Sequence, residues 1–268
     1  MNTRSLNART LFHQATVTTL NRLSRTTRVA YPVFAMIGFH DYWRAHSAEE
    51  LRFLAFCGSM RHLAHGQILQ DLWVLFELDL RIQGHFVEFG AYDGLSHSNS
   101  KLLEERFGWT GLLAEPNPEM AEVLRRSRTA TVDDRCVWDR SGDEVDLLLT
   151  GDPELSTVVE HAGRDLHTAA RQATAVRTVS VPTVSLDDLL DEHDTPAEFD
   201  FLSVDTEGTE LRILRAFDFG RHRPRLVAVE HNGRRDDEAA LDALLAENGY
   251  ERRFRALSDW DAWYRLRG

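Results

Sequence analysis

The chain is poor in the residues that would make several functions easy to recognise. It has only two cysteines, Cys57 and Cys136, far apart in sequence. That excludes a disulfide framework and a cysteine-based zinc site, and it suits a reducing, cytoplasmic setting. It has one lysine, Lys101, so arginine supplies every other basic charge, which reads as codon bias in a GC-rich genome. Acids outnumber bases, 43 to 31, and the net charge of -12 denies the chain the basic face that nucleic-acid binding requires. The longest apolar run near the N-terminus, residues 31–39, is too short to cross a bilayer, so no membrane partner is expected. No internal repeat is visible, and the G-x-G-x-x-G loop of dinucleotide-binding folds is missing.

What is present describes a soluble globular protein. The 268 residues are 43 % hydrophobic and 28 % charged, enough for one good core and an extension. Residues 1–40 carry Arg4, Arg9, Arg22, Arg25 and Arg28 and no acid before Asp41. This composition fits a transit peptide as well as a helical arm, and the arm is the plainer expectation. Residues 41–83 read as helical, with apolar residues at i, i+3, i+4 and i+7 in "SAEELRFLAF" and "GQILQDLWVLFELDL". Ser47 and Glu50 have the spacing of a capping box. The expected division is therefore a helical extension over 1–83 and a second domain over 84–268. The extension would cover one side of the functional site or build a homodimer interface, because its apolar faces exceed what one exposed helix needs.

From residue 84 onward strands and helices alternate, which predicts a parallel sheet covered on both faces. Expected strands are His85–Phe89, 111–116, 130–137, 199–205 and 225–231. A helix starts at Pro118 and another ends at Gly249. The closing segments "YERRFRAL" and "DAWYRLRG" read as an antiparallel pair. The connection 151–177 is too long for an ordinary loop; it reads as a lid carrying Ser156, Thr157 and His161 toward a ligand, or as a surface helix pair.

The loop "HFVEFGAYDGLSHSNS" (85–100) poses the functional question. Glu88 stands where a phosphate would be repelled, and Gly90-x-x-x-Gly94 has the wrong spacing for a pyrophosphate. An acid at this strand end favours a ligand with positive charge, and S-adenosylmethionine carries an ammonium and a sulfonium and no phosphate. Glu115, at the next strand end, sits where an acid receives ribose hydroxyls in nucleotide folds, or else caps the helix beginning near Pro118.

With these segments in view, the chain resembles the FkbM-type methyltransferases from about Gln67 to Asn232. "QILQDLWVLF", "FVEFGAYDGLSHSNSKLLEERFGWTGLLAEPNP", "RCVWDRSG", "LSTV", "VPTVSLDDLL", "FDFLSVDTEGTELRIL" and "VAVEHN" stand in the family's order. The D-x-E-G segment Asp205-Thr206-Glu207-Gly208 is its most specific mark, and His97 is a departure. The resemblance implies an α/β class I methyltransferase fold, a Rossmann-like seven-stranded sheet whose last strand inserts antiparallel beside the fifth. It implies S-adenosylmethionine-dependent O-methylation of a small-molecule hydroxyl on a sugar or a polyketide-derived natural product. Carried over by position, Glu88, Gly90, Asp93 and Gly94 line the methionine part of the cofactor. Glu115 holds the ribose beside Pro116 and Asn117, and Arg135 and Cys136 flank the adenine.

Ligands of open α/β sheets gather at the carboxyl ends of the strands. Asp205, Glu230, His231 and Asn232 lie there. Asp205, Glu230 and Asn232 are hard oxygen ligands suited to Mg²⁺, similar to the ligand set of catechol O-methyltransferase. A metal-free alternative makes Asp205 or His231 the general base. His62, His65, His161 and His167 read as surface or substrate-lining residues, and Gln67, Gln70 and Asp71 as a helix's solvent face. Two other readings stand beside the methyltransferase: a nicotinamide-dependent oxidoreductase, and a binding protein that has kept the fold without catalysis.

Overall fold

The computed structural model describes residues 47–151, 156–160 and 174–268. The expectations for residues 1–46, His161 and His167 lie outside the described residues. The chain divides into two compact units, residues up to Arg52 and Phe53–Gly268. In the first, Ser47 and Glu50 close a capping box. The Glu50 amide donates to Ser47 Oγ at 3.2 Å and the Ser47 amide to Glu50 Oε2 at 2.6 Å, which starts α1 (Ala48–Met60).

The second unit is built on a seven-stranded sheet. In chain order its elements are α2 (Gln70–Glu77), β1 (His85–Phe89), α3 (Lys101–Phe107), β2 (Thr110–Ala114), α4 (Pro118–Ser127) and β3 (Thr131–Asp133). Then come β4 (Cys136–Trp138), β5 (Glu144–Thr150), β6 (Thr157–Val158), β7 (Ala175–Ser185) and α5 (Leu186–Glu192). β8 (Glu198–Val204), α6 (Glu210–Ala216), β9 (Arg223–Glu230), α7 (Arg235–Glu247), β10 (Tyr250–Arg253) and β11 (Asp261–Leu266) complete the chain. The strand order is β3-β2-β1-β8-β9-β11-β10, with β11 antiparallel to both neighbours. The C-terminal hairpin thus places its last strand beside the fifth strand of the main series, as expected from the sequence.

Both faces of the sheet are covered, so its inner strands are nearly continuous apolar runs. Val87, Phe89, Leu202, Val204, Val227 and Val229 face α5, α6 and α7. Phe86, Phe201, Leu226 and Trp263 face the other side, where α2 and α3 supply Leu72, Trp73, Leu102 and Leu103. Trp73 stacks on Trp263 at 5.2 Å between ring centroids. Phe53 and Cys57 of α1 join this same core. Residues 53–83 therefore pack as part of the sheet unit, and the division at 83/84 read from the change of periodicity is not where the contacts divide.

The expected strand 130–137 is two strands in two sheets. β3 ends at Asp133, whose Oδ1 accepts the Arg135 amide at 2.9 Å, an Asx turn that stops the ladder. β4 then leaves the main sheet and pairs with β7 in a second sheet of order β4-β7-β5-β6. The described part of the 151–177 connection contributes β6 and the start of β7, and the rest of that connection lies outside the described residues. No helix among the described residues is long and apolar enough to cross a membrane.

Candidate functional site

The carboxyl ends of β1, β2, β8 and β9 come together, and the β1 loop is the most constrained part. Gly90 has φ +76°, and a Cβ there would lie 1.5 Å from the Asp205 carbonyl oxygen. Only glycine lets β1 end this close to β8. Gly94, at φ +69°, lies against Leu124 and Arg128, so its lack of a side chain serves the packing of α4. Asp93 folds the loop locally: its Oδ1 accepts the amides of Leu95 at 2.8 Å and Ser96 at 2.7 Å.

Glu88 is buried on the α3 face of the sheet. Its carboxylate accepts the Asn99 amide at 2.8 Å and the hydroxyls of Ser98 and Ser100. Arg128, also buried, holds the same loop from α4, donating to the Gly94 carbonyl at 3.2 Å, to Ser98 Oγ at 3.0 Å and to Ser100 Oγ at 2.9 Å. Its own charge is met by Glu104. Glu88 is thereby committed to residues 98–100 and shapes the loop from behind, where the sequence reading had placed it against the cofactor itself.

Glu115 follows β2 and is 8 % exposed. Its two oxygens accept the amides of Tyr92 and Asn117, each at 2.8 Å, joining the β1 loop to the start of α4. Asn117 caps that helix by accepting the Glu119 amide at 3.1 Å, and Pro116, half-buried, connects the two. Burial pushes the Glu115 carboxyl up to about 7. Each oxygen keeps a second lone pair for a hydroxyl donor.

The D-x-E-G segment is a turn wound around the carboxylate of Glu210. Its Oε1 accepts the amides of Thr206 and Gly208, both at 2.9 Å. Glu207 takes φ +59°, and its carbonyl accepts the Thr157 hydroxyl at 3.1 Å, so the second sheet is anchored on this turn. Asp205, Glu207 and Glu230 have carboxylate oxygens within 4.8 Å of one another. Burial raises both Asp205 and Glu230, and the charge of Asp205 drives Glu230 further up, so this pair keeps one proton on Glu230.

Two strand-end residues take other parts than expected. His231 is 6 % exposed; its Nε2 lies 3.0 Å from the Asp261 carbonyl and its Nδ1 accepts the Gly233 amide at 3.2 Å. This fixes a neutral tautomer with both nitrogens engaged, and burial lowers its pKa. His231 is a strut between β9 and β11 and is corrected as a base. Asn232 turns its amide nitrogen toward Glu230 Oε2 at 2.8 Å, and Glu207 stands with Asp205 and Glu230 in the carboxylate cluster. Arg135 pairs with Asp133 and Glu192, each at 2.6 Å, and Cys136 is buried at the start of the second sheet with its thiol pushed up to about 12 by burial. Their side chains are thus engaged within the protein.

Gln70 and Asp71 are not on a solvent face. Asp71 is fully buried and accepts the amides of His65 at 2.6 Å and Leu72 at 2.8 Å. Gln70 donates to Asp261 Oδ2 at 2.8 Å. His65 is half-buried, 4.0 Å from Glu105, and His62 joins no group of metal-ligand type among the described residues.

These buried acids set a pH dependence. Burial raises Asp71 from 3.8 to about 6 and Glu115 from 4.5 to about 7. Each folded value lies above its unfolded one, so the stability is full below the unfolded value and is lost as pH rises through the folded one. Asp133 acts oppositely: burial would raise it, but hydrogen bonds from Arg135 and His193 prevail and hold it at about 2, so its contribution is lost as pH falls. Between pH ~5 and ~7 Asp71→Asn should lose less stability with rising pH than the unmodified chain, in which His65, His85, His222 and His231, lowered by burial, act in the opposite sense to Asp71. The same pH dependence in both proteins would contradict this.

Residues 88–252, more than half of the chain, match a family described as the methyltransferase FkbM domain. No curated protein sequence matches. Solved structures similar to the chain include a methyltransferase FkbM from Methylobacillus flagellatus KT, with 15 % identity and a TM-score of 0.42. That match covers 82 % of this chain and 60 % of the other, so the chain spans about 60 % of that relative's length. A precorrin-6y C5,15-methyltransferase from Geobacter metallireducens GS-15 shows 13 % identity, covering 75 % of this chain and 88 % of the other, at a TM-score of 0.40. The SAH-bound methyltransferase PaMTH1 of Podospora anserina shows 11 % identity, covering 83 % and 89 %, at 0.41.

Proposed function

Since the chain belongs to the methyltransferase FkbM domain family, we propose that it transfers a methyl group from S-adenosylmethionine to a hydroxyl of a small molecule, a sugar or a sugar-bearing or polyketide-derived product. The observation that carries this reading is the concentration of acids at the carboxyl ends of the strands: Glu115, Asp205, Glu207 and Glu230 around a glycine loop. Such a recess suits a cofactor bearing an ammonium and a sulfonium. The loop Gly90–Gly94 receives the methionine part, and Glu115 accepts the ribose hydroxyls beside Pro116 and Asn117. The backbone at Arg135 and Cys136 meets the adenine.

Methyl transfer needs the acceptor oxygen in line with the methyl carbon and the departing sulfur. The oxygen forms its bond to carbon as the carbon–sulfur bond breaks, the sulfonium becomes a neutral thioether, and the hydroxyl proton goes to Asp205. Glu230, holding its own proton, leaves Asp205 as the ionised member of the pair. General-base assistance of this kind contributes roughly 100- to 10,000-fold. A second reading rests on the grouping of three carboxylates within 4.8 Å: Asp205, Glu207 and Glu230 would hold Mg²⁺, which lowers the pKa of an acceptor hydroxyl.

The test is transfer of labelled methyl from S-adenosylmethionine to a panel of hydroxylated sugars and polyketides, with the methylated atom located by NMR. Label on carbon or nitrogen would contradict O-methylation. Glu115→Ala should weaken cofactor binding by about 1–3 kcal/mol, because the ribose hydroxyls lose a charged acceptor. Calorimetry with S-adenosylhomocysteine measures this, and unchanged affinity would remove Glu115 from the site.

A further inference from the structure

A cleft of about 540 Å³ runs between α6 and α7 and reaches the site. Its inner end is formed by Gly208, Glu230 and Asn232; its walls include Leu211, Arg215, Arg234 and Leu241. The volume is in the range of small-ligand pockets. From its lining we infer that this cleft seats the acceptor, and that the acceptor is a polyhydroxylated molecule carrying a phosphate or carboxylate group remote from the hydroxyl to be methylated. This rests on the methyltransferase reading and names the substrate class for it.

Three arginines line the cleft, and two are already neutralised. Arg212 pairs with Asp139 at 2.7 Å and with Glu160 at 3.4 Å, and stacks over the Trp138 ring at 4.3 Å. Arg234 pairs with Asp237 at 3.0 Å. Arg215 is exposed and has no acidic partner among the described residues. It lies five residues along α6 from Glu210, a rise of about 8 Å along the helix axis, at the outer end of the cleft. A guanidinium held there binds an anion through paired, charge-assisted hydrogen bonds.

The remaining polar demand of the cleft is for donors. Asp139 Oδ1 is buried with no hydrogen-bond partner among the described residues, while Oδ2 of the same carboxylate is taken by Arg212. A buried acceptor without a donor is costly, and a ligand hydroxyl supplies that donor. Leu211 and Ala216 add a small apolar strip against which a sugar ring face can rest. Hydroxyls near Asp139 and an anion at Arg215 together describe an anionic saccharide better than a neutral macrocycle.

The probes are trehalose 6-phosphate and trehalose, which differ only in an anion carried on the ring remote from the other ring's hydroxyls. Binding to the full chain is measured by calorimetry at saturating S-adenosylhomocysteine. The phosphate form should bind at least about tenfold tighter than trehalose, and Arg215→Glu should erase that preference while leaving S-adenosylhomocysteine affinity unchanged. A second variant, Arg215→Lys, should retain part of it. Equal affinity for the two sugars, no binding of either while S-adenosylhomocysteine binds, or a preference that survives Arg215→Glu would each overturn the inference. Absence of S-adenosylhomocysteine binding in the unmodified chain would instead overturn the methyltransferase reading.

Discussion

Gly90→Ala is expected to abolish cofactor binding and to lower the melting temperature more than any other single change in the β1 loop. The left-handed φ of +76° alone costs an L-residue about 1–2 kcal/mol. The larger effect is steric, since the new Cβ would lie 1.5 Å from the Asp205 carbonyl oxygen, which is backbone and cannot swing away. The ends of β1 and β8 would have to separate. That strains the bonds from the Asp205 amide to the Phe89 carbonyl at 3.2 Å and from the Gly90 amide to the Ala114 carbonyl at 3.1 Å. A total above about 4 kcal/mol places this among the severe single substitutions. Gly108→Ala is the control: Gly108 also has positive φ, +66°, but a Cβ there meets nothing within 4 Å. It should cost about 1 kcal/mol and leave cofactor affinity intact. Calorimetry and thermal melts on both variants check the pair, and equal behaviour of the two would contradict the close approach of β1 and β8.

Asp205→Asn should remove most turnover, by at least about 100-fold, while the fold and cofactor binding persist. The amide is nearly the size of the carboxyl, so packing is preserved, but it cannot take a proton or hold a cation. With Asp205 as a base, EDTA should leave the rate unchanged and the rate should follow a single ionisation. With Mg²⁺ held by Asp205, Glu207 and Glu230, EDTA should suppress activity and Mg²⁺ restore it, with S-adenosylhomocysteine binding unaffected in both states. Full activity in Asp205→Asn would remove Asp205 from the chemistry in either version.

Much of the main sheet was legible because its signals are local. β1, β8 and β9 are short apolar runs bounded by loops, and β10 and β11 are separated by a turn-rich stretch; these patterns follow from burial on two faces. The Glu88-x-Gly90 loop, Glu115 and Asp205 stand out in the sequence for the same reason, each at the end of such a run. The rest depends on contacts between distant residues. Gln70 and Asp71 looked like a polar face because sequence does not show that the Asp261 side chain and the His65 backbone would satisfy them. The second sheet escaped because β5 and β7 have one exposed face and the Asp133 turn divides an apparently continuous strand. Glu207 stood within the D-x-E-G segment already singled out, two residues from Asp205, but only the positive φ of the turn carries its carboxylate back to Glu230. Nothing local marks Arg128 as the clamp on residues 98–100, or commits both nitrogens of His231.

The account stands on the acid-lined strand ends holding S-adenosylmethionine rather than a dinucleotide. The direct measurement is calorimetric titration of the full chain with S-adenosylhomocysteine and, separately, with NAD. One site for S-adenosylhomocysteine, weakened about tenfold or more in Glu115→Ala, with no heat from NAD, is the expected result. Binding of NAD, or no binding of S-adenosylhomocysteine, would contradict it.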